Sequence, residues 1–96
     1  MTIKRFKSRE LYTLCLVNEH EGEIYTWCAN VTYKDKTKEG LLEFVSSETR
    51  YYIDPQTNLV SIEIDEVVYV GGDEEYDIIP QIHFAHLTNI VKGWQF

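Results

Sequence analysis

Val60, Ile62 and Ile64 alternate with Ser61, Glu63 and Asp65 inside the run from Leu59 to Val70, and this pattern constrains the fold more than any other stretch. A period of two residues belongs to a β-strand with one dry face and one wet face. The rest of the chain has to supply a surface for the dry face. The wet face is acidic. An unbroken strand would put Glu66 on the same side as Ile64, where an unpaired carboxylate is costly to bury. The sequence therefore predicts a bulge or bend at Asp65-Glu66, with Val67 to Val70 resuming beyond it.

Leu11 to Val17 and Ile24 to Tyr33 are strand candidates on either side of Asn18-Glu19-His20-Glu21-Gly22-Glu23, a polar hairpin loop in which Gly22 supplies a positive φ. Pairing Glu19 with Ile24 sets Tyr12 opposite Val31, Leu14 opposite Ala29, Leu16 opposite Trp27 and Cys15 opposite Cys28. One side of that hairpin is then the drier, and a one-residue slip would invert it. Thr49 to Ile53 is another strand. It turns at Asp54-Pro55-Gln56-Thr57-Asn58 into the central run: Pro55 pre-sets φ, Asp54 caps the turn and Asn58 tolerates a left-handed backbone.

Two segments read two ways. Residues 41–46 fit a strand through Leu42 and Phe44, or a helix face through Leu41, Leu42 and Val45; Gly40 and the short length favour the strand. Residues 80–92 fit a helix with Pro80 in its first turn, Phe84, Leu87, Ile90 and Val91 on one face and Gly93 as terminator, or else a strand from Gln81 to Ala85. A strand leading into a short helix is favoured. The expected fold is mainly β, with α+β still open: a small antiparallel sheet or partly open barrel of five to six strands with a short C-terminal helix. No linker or repeat interrupts the 96 residues, so one domain spans residues 1–96. Trp94 and Phe96 are expected to pin the end of the chain to its body.

A chain this short has one core and roughly 5 to 14 kcal/mol of stability. Its 44% hydrophobic and 14% aromatic content excludes a disordered chain. The net charge of −7 is unevenly spread: residues 1–9 carry +4, residues 10–30 carry −4, residues 31–50 are neutral and residues 51–96 carry −7. Between Arg50 and Lys92 there is no Lys or Arg. Such an acidic surface repels nucleic acid, so direct nucleic-acid binding is disfavoured outside the Lys4, Arg5, Lys7, Arg9 cluster. No stretch reaches the length of a membrane span or a signal peptide, and a cytoplasmic protein with free Cys15 and Cys28 is expected.

Chemistry finds few footholds. Gly71-Gly72-Asp73-Glu74-Glu75 resembles the signature turn of diguanylate cyclases, but Glu75 stands where that turn carries an aromatic residue and no second motif completes a site. The resemblance implies nothing for the rest of the chain, and a β-turn with water-facing acids accounts for the run. Asp73, Glu74, Glu75 and Asp77 lack the alternate-position spacing of a calcium loop. His83 and His86 would share a face only on a helix, and no third ligand is apparent. Cys15 and Cys28 sit mid-strand, away from any helix N-terminus that would activate a thiol. No catalytic residue, metal site or cofactor is expected.

The expected function is that of a small acidic, non-enzymatic binding or inhibitor protein masking a basic surface of a partner protein, such as a nucleic-acid-binding host enzyme. In size, charge and want of motifs the chain resembles small inhibitors made by bacteriophages, anti-CRISPR proteins and DNA mimics among them, and the immunity proteins of basic nucleases. On this reading Glu63, Asp65, Glu66, Asp73, Glu74, Glu75 and Asp77 steer association while aromatic side chains anchor it. The alternative is an oligomeric small β-barrel, similar to Sm-like folds, that sequesters a nucleotide or short oligonucleotide. Lys4, Arg5, Lys7 and Arg9, with Lys34, Lys36 and Lys38, would then meet phosphate and Tyr51 or Tyr52 would stack on a base.

Overall fold

The file of Tyr12, Leu14 and Leu16 finds its partner strand in the register expected from the sequence. In the computed structural model, which describes residues 6–69, 71 and 76–95, β1 (Leu11–His20) and β2 (Glu23–Lys36) pair with Tyr12 opposite Val31, Leu14 opposite Ala29 and Cys15 opposite Cys28. Both strands run further into the polar loop than expected, leaving only Glu21 and Gly22 as the turn, with φ of 52° and 81°. Positive φ at both corner positions is the geometry that matches strand twist in a two-residue hairpin.

Four more strands complete a closed antiparallel barrel: β3 (Leu42–Ser46), β4 (Thr49–Ile53), β5 (Leu59–Tyr69) and β6 (Tyr76–Lys92). Within residues 41–46, all but Leu41 thus resolve as strand. The turn between β4 and β5 forms as its residues dictate: Asp54 Oδ1 accepts from the Gln56 N–H at 2.9 Å, and Asn58 takes φ of 61°. Closure depends on two long strands that change partners. Residues 23–32 of β2 pair with β1 and residues 32–36 with β3, while β6 pairs with β5 as far as His86 and with β1 from there to Lys92.

Two expectations are corrected. The short C-terminal helix is absent, because residues 80–92 belong to β6. Ala85 and Leu87 turn inward in strand alternation, but the β1 register slips between Cys15 and Leu16, leaving Thr88 as an extra residue on β6 and bringing Ile90 inward. Inward positions 87 and 90 imitate a helical spacing, and the β-bulge produces it. The bulge predicted at Asp65-Glu66 is also absent: β5 pairs with β6 without a slip from Leu59 to Tyr69. Past Ile64 the strand has lost β4 as a neighbour, so the barrel interior ends at that level.

The interior is filled by Tyr12, Leu14, Leu16, Val31, Tyr33, Leu42, Phe44, Ile53, Val60, Ile62, Ala85, Leu87 and Ile90, all buried. Six strands enclose little more than the width of their own side chains, so a packed core and not a ligand cavity results. Phe6 stoppers one end, its ring 5.3 Å from those of Tyr12 and Tyr33. The C-terminal residues strap across the outer face of β1 and β2: Trp94 Nε1 donates to the Val31 carbonyl at 2.8 Å, and the Gln95 N–H donates to Thr13 Oγ1 at 3.1 Å. Phe96 lies outside the described residues. No helix among the described residues is long and apolar enough to cross a membrane.

Candidate functional site

Up-and-down topology sends alternate turns to the same end of the barrel, and at one end the long hairpins outrun it. Residues 23–31 of β2 have only β1 beside them, and β5 and β6 continue as a two-stranded ribbon from Asp65 and Pro80 to Tyr69 and Tyr76. Pro80 is tolerated there because β6 has a neighbour on one side only at that level. The two hairpins fork where His86 is paired with both Val17 and Leu59. An open depression of about 320 Å³ lies in the fork, lined by Val17, Asn18, Glu19, Ile24 and His86.

Outward positions of β6 carry three of the large exposed apolar groups among the described residues. Ile82 and Phe84 stand opposite Glu63 and Ser61, on the face away from Val60 and Ile62. Ile78 is 69% exposed, Ile82 57% and Phe84 55%, and Ile24 on the neighbouring hairpin is 70% exposed. A strand that buries Ala85 and Leu87 on one face while showing this file on the other has apolar residues on both faces. One face has no partner element among the described residues, and an apolar patch of that kind marks a contact surface more often than a solvated one.

Charge is unequal at the two ends of the barrel. The turn end with the fork shows Glu19, Glu21 and Glu23 on one hairpin and Glu48 on the β3–β4 turn, all exposed. The opposite end mixes Lys7, Arg9, Lys34, Lys36, Lys38 and Lys92 with Glu10, Asp35, Glu39, Glu43 and Asp54, so its charges nearly cancel. Backbone contacts lay the N-terminal segment along β2, with the Arg9 N–H donating to the Tyr33 carbonyl at 2.9 Å and Ser8 Oγ to the Lys34 carbonyl at 3.1 Å. Two of those cations are taken by neighbours, Lys34 by Glu43 at 3.4 Å and Lys92 by Glu10 at 3.5 Å.

Of the seven acids expected to steer a partner, Glu63 and Asp65 are the two whose side chains are described. Glu63 and Asp65 share the outward face of β5, where Arg50 of β4 clamps both: its Nε donates to Glu63 Oε1 at 2.7 Å and its Nη2 to Asp65 Oδ1 at 3.1 Å. Glu66 and Asp77 hold ladder positions opposite Ile79 and Val68, and their side chains lie outside what is described. Asp73, Glu74 and Glu75 lie outside the described residues, between the ends of β5 and β6. Glu19, Glu21, Glu23 and the apolar file on β6 are further exposed groups that the sequence reading did not single out. Their signal was present in the odd–even placement of Ile78, Ile82 and Phe84 against Ala85 and Leu87.

The two C-terminal histidines stay apart. His83 and His86, on a strand, fall on opposite faces of β6, so their spacing makes no two-histidine site. Among the described residues no group of three or more His, Cys, Asp or Glu is placed to hold a metal. Cys15 and Cys28 are free thiols on the outer face, with the Cys28 S–H directed at Cys15 Sγ across 3.6 Å. Burial, and then the neighbouring Cys28, push the Cys15 thiol above its ordinary pKa. Tyr51, half-buried and inward, and Tyr52, flanked by Glu43 and Glu63, are held above the ordinary phenol range, chiefly by desolvation. Comparison of the chain with protein-family models, with characterised proteins and with solved structures finds no match.

Proposed function

We propose that the chain is a non-enzymatic binding protein that covers a basic surface on a partner protein, such as the nucleic-acid groove of an enzyme. The observation that carries this reading is the exposed file of Ile78, Ile82 and Phe84 on β6, at the end of the barrel that also carries Glu19, Glu21, Glu23 and Glu48. Apolar side chains supply the desolvated centre of an interface, while surrounding acids raise the encounter rate with a basic partner and suppress wrong ones. Inhibitors of the anti-CRISPR and DNA-mimic kind, which the chain resembles in size and charge, act by such masking. Because Arg50 offsets one of the two negative charges of Glu63 and Asp65, steering falls mainly to the hairpin acids.

Native mass spectrometry of the chain purified from its own host tests the proposal. The expected result is a complex with a basic protein that survives purification, is lost in the Ile82→Glu, Phe84→Ser double variant, and weakens about tenfold or more between roughly 50 and 300 mM salt. A chain that runs alone, or a complex indifferent to both changes, overturns it.

A second reading has one observation in its favour. The N-terminal segment lies along β2, which sets Lys7 and Arg9 at the end of the barrel away from the hairpin glutamates, a local footing for phosphate. A nucleotide or oligonucleotide mass retained on a homo-oligomer in the same spectrum would favour it over the first.

A further inference from the structure

Cys15 and Cys28 are directly opposed on adjacent antiparallel strands, and neither is used by the surface described above. Opposed residues place their Cα atoms about 4.5 to 5.5 Å apart, inside the roughly 4.4 to 6.8 Å window that a disulfide spans without backbone movement. The two sulfurs are 3.6 Å apart as free thiols, Cys28 exposed and Cys15 half-buried. The C-terminal strap stops one pair short of them, at Thr13 and Asn30, where the Asn30 side chain donates to the Gln95 carbonyl at 2.9 Å. On the far side Thr88, the bulge residue, ties β6 to this point through its hydroxyl, which donates to the Cys15 carbonyl at 3.1 Å.

We propose that Cys15 and Cys28 form a thiol–disulfide exchange site, converted reversibly to a cross-strand disulfide by a low-molecular-weight disulfide of the oxidised-glutathione class. Cys28, the accessible thiol, loses its proton and its sulfur attacks one sulfur of the small disulfide. A protein–glutathione bond forms as one glutathione leaves, taking up the proton. Cys15 then loses its proton and attacks the Cys28 sulfur, expelling the second glutathione. Two protein thiols are oxidised, one small disulfide is reduced to two thiols, and no other oxidant enters. The bond fastens β2 to β1 within residues 23–31, where β2 is held by hydrogen bonds from one side only. The inference does not rest on any partner being bound.

The test incubates the purified full chain with oxidised glutathione, blocks remaining thiols with iodoacetamide and digests at glutamate. Trypsin leaves both cysteines in one fragment, since no Lys or Arg lies between Arg9 and Lys34, whereas cutting at Glu19, Glu21 and Glu23 separates them unless a disulfide joins them. The expected products are a joined, unalkylated fragment pair, a Tm raised by about 5 °C, and recovery of both thiols on adding dithiothreitol. In Cys15→Ser the reaction should stop at a glutathione adduct on Cys28. A wild-type chain that accumulates the adduct, forms disulfide-linked dimers or keeps both thiols alkylatable overturns the proposal.

Discussion

Phe6 sets its ring edge-on against Phe44, with centroids 5.5 Å apart and planes at 89°. Phe44 is fully buried at the centre of the core, so Phe6, five residues ahead of β1, is a working part of that core. Truncating the centre should cost far more than truncating the stopper. Phe44→Ala is expected to lose about 3 to 5 kcal/mol, a large share of the stability of a domain this small. Phe6→Ala should lose about 1 to 2 kcal/mol, from partial burial and the edge-to-face contacts. Urea unfolding checks both: the midpoints should fall in that order with unchanged slopes.

Arg50 holds two carboxylates that would otherwise repel each other along β5. Arg50→Ala should lower Tm by a few degrees at low salt and by less at high salt, where screening replaces the lost cation. Arg50→Lys should restore only part of the loss, because an ammonium cannot present the guanidinium's two directed donors to Glu63 and Asp65 at once. Thermal melts at two ionic strengths decide it. Equal stability of all three proteins would show the clamp to be idle.

Alkaline pH should unfold this protein early. Burial holds the phenols of Tyr12, Tyr33 and Tyr51 above the ordinary value of 10.0, with the Glu10 carboxylate adding to the effect at Tyr12. A group whose pKa is higher folded than unfolded favours the folded state below the unfolded value. That contribution drains away as pH climbs past 10 and through the folded values. Tm should therefore fall steeply above pH 10, and Tyr51→Phe should blunt the fall while leaving neutral-pH stability nearly unchanged. Tm measured against pH for the two proteins checks this.

Local signals made much of the barrel legible in advance. The β1–β2 register followed from keeping Tyr12, Leu14 and Leu16 on one face, and the β4–β5 turn from Asp54, Pro55 and Asn58, because each is decided within a few residues. What stayed hidden depends on distant strands. The bulge at Thr88 is visible only once β1 lies beside β6, and without it positions 84, 87, 90 and 91 count out a helix. The carboxylate penalty argued for a bend at Asp65-Glu66 because the sequence does not show that β4 ends its pairing at Ile64. The density of acids along the chain is plain in the sequence, but only the topology shows that the exposed hairpin glutamates share one end and that Glu63 and Asp65 lie beside Arg50.

Glu21 occupies a left-handed position, φ 52°, where a residue with a Cβ is disfavoured and asparagine or glycine is preferred. Its neighbour Gly22 has φ of 81°, and a Cβ added there would meet nothing within 4 Å, so the cost of Gly22→Ala is conformational and not steric crowding from elsewhere. Gly22→Ala should lose about 1 kcal/mol or more, whereas Glu21→Asn should gain about 0.5 to 1 kcal/mol, both read from urea midpoints. A glutamate kept at a strained turn on the acidic end suggests a second consequence. If its charge steers a basic partner, Glu21→Asn should bind that partner more slowly at low salt while being the more stable protein, an opposition of stability and function typical of interaction sites. Stopped-flow association with the partner recovered by native mass spectrometry checks it, and an unchanged rate would remove Glu21 from the steering surface.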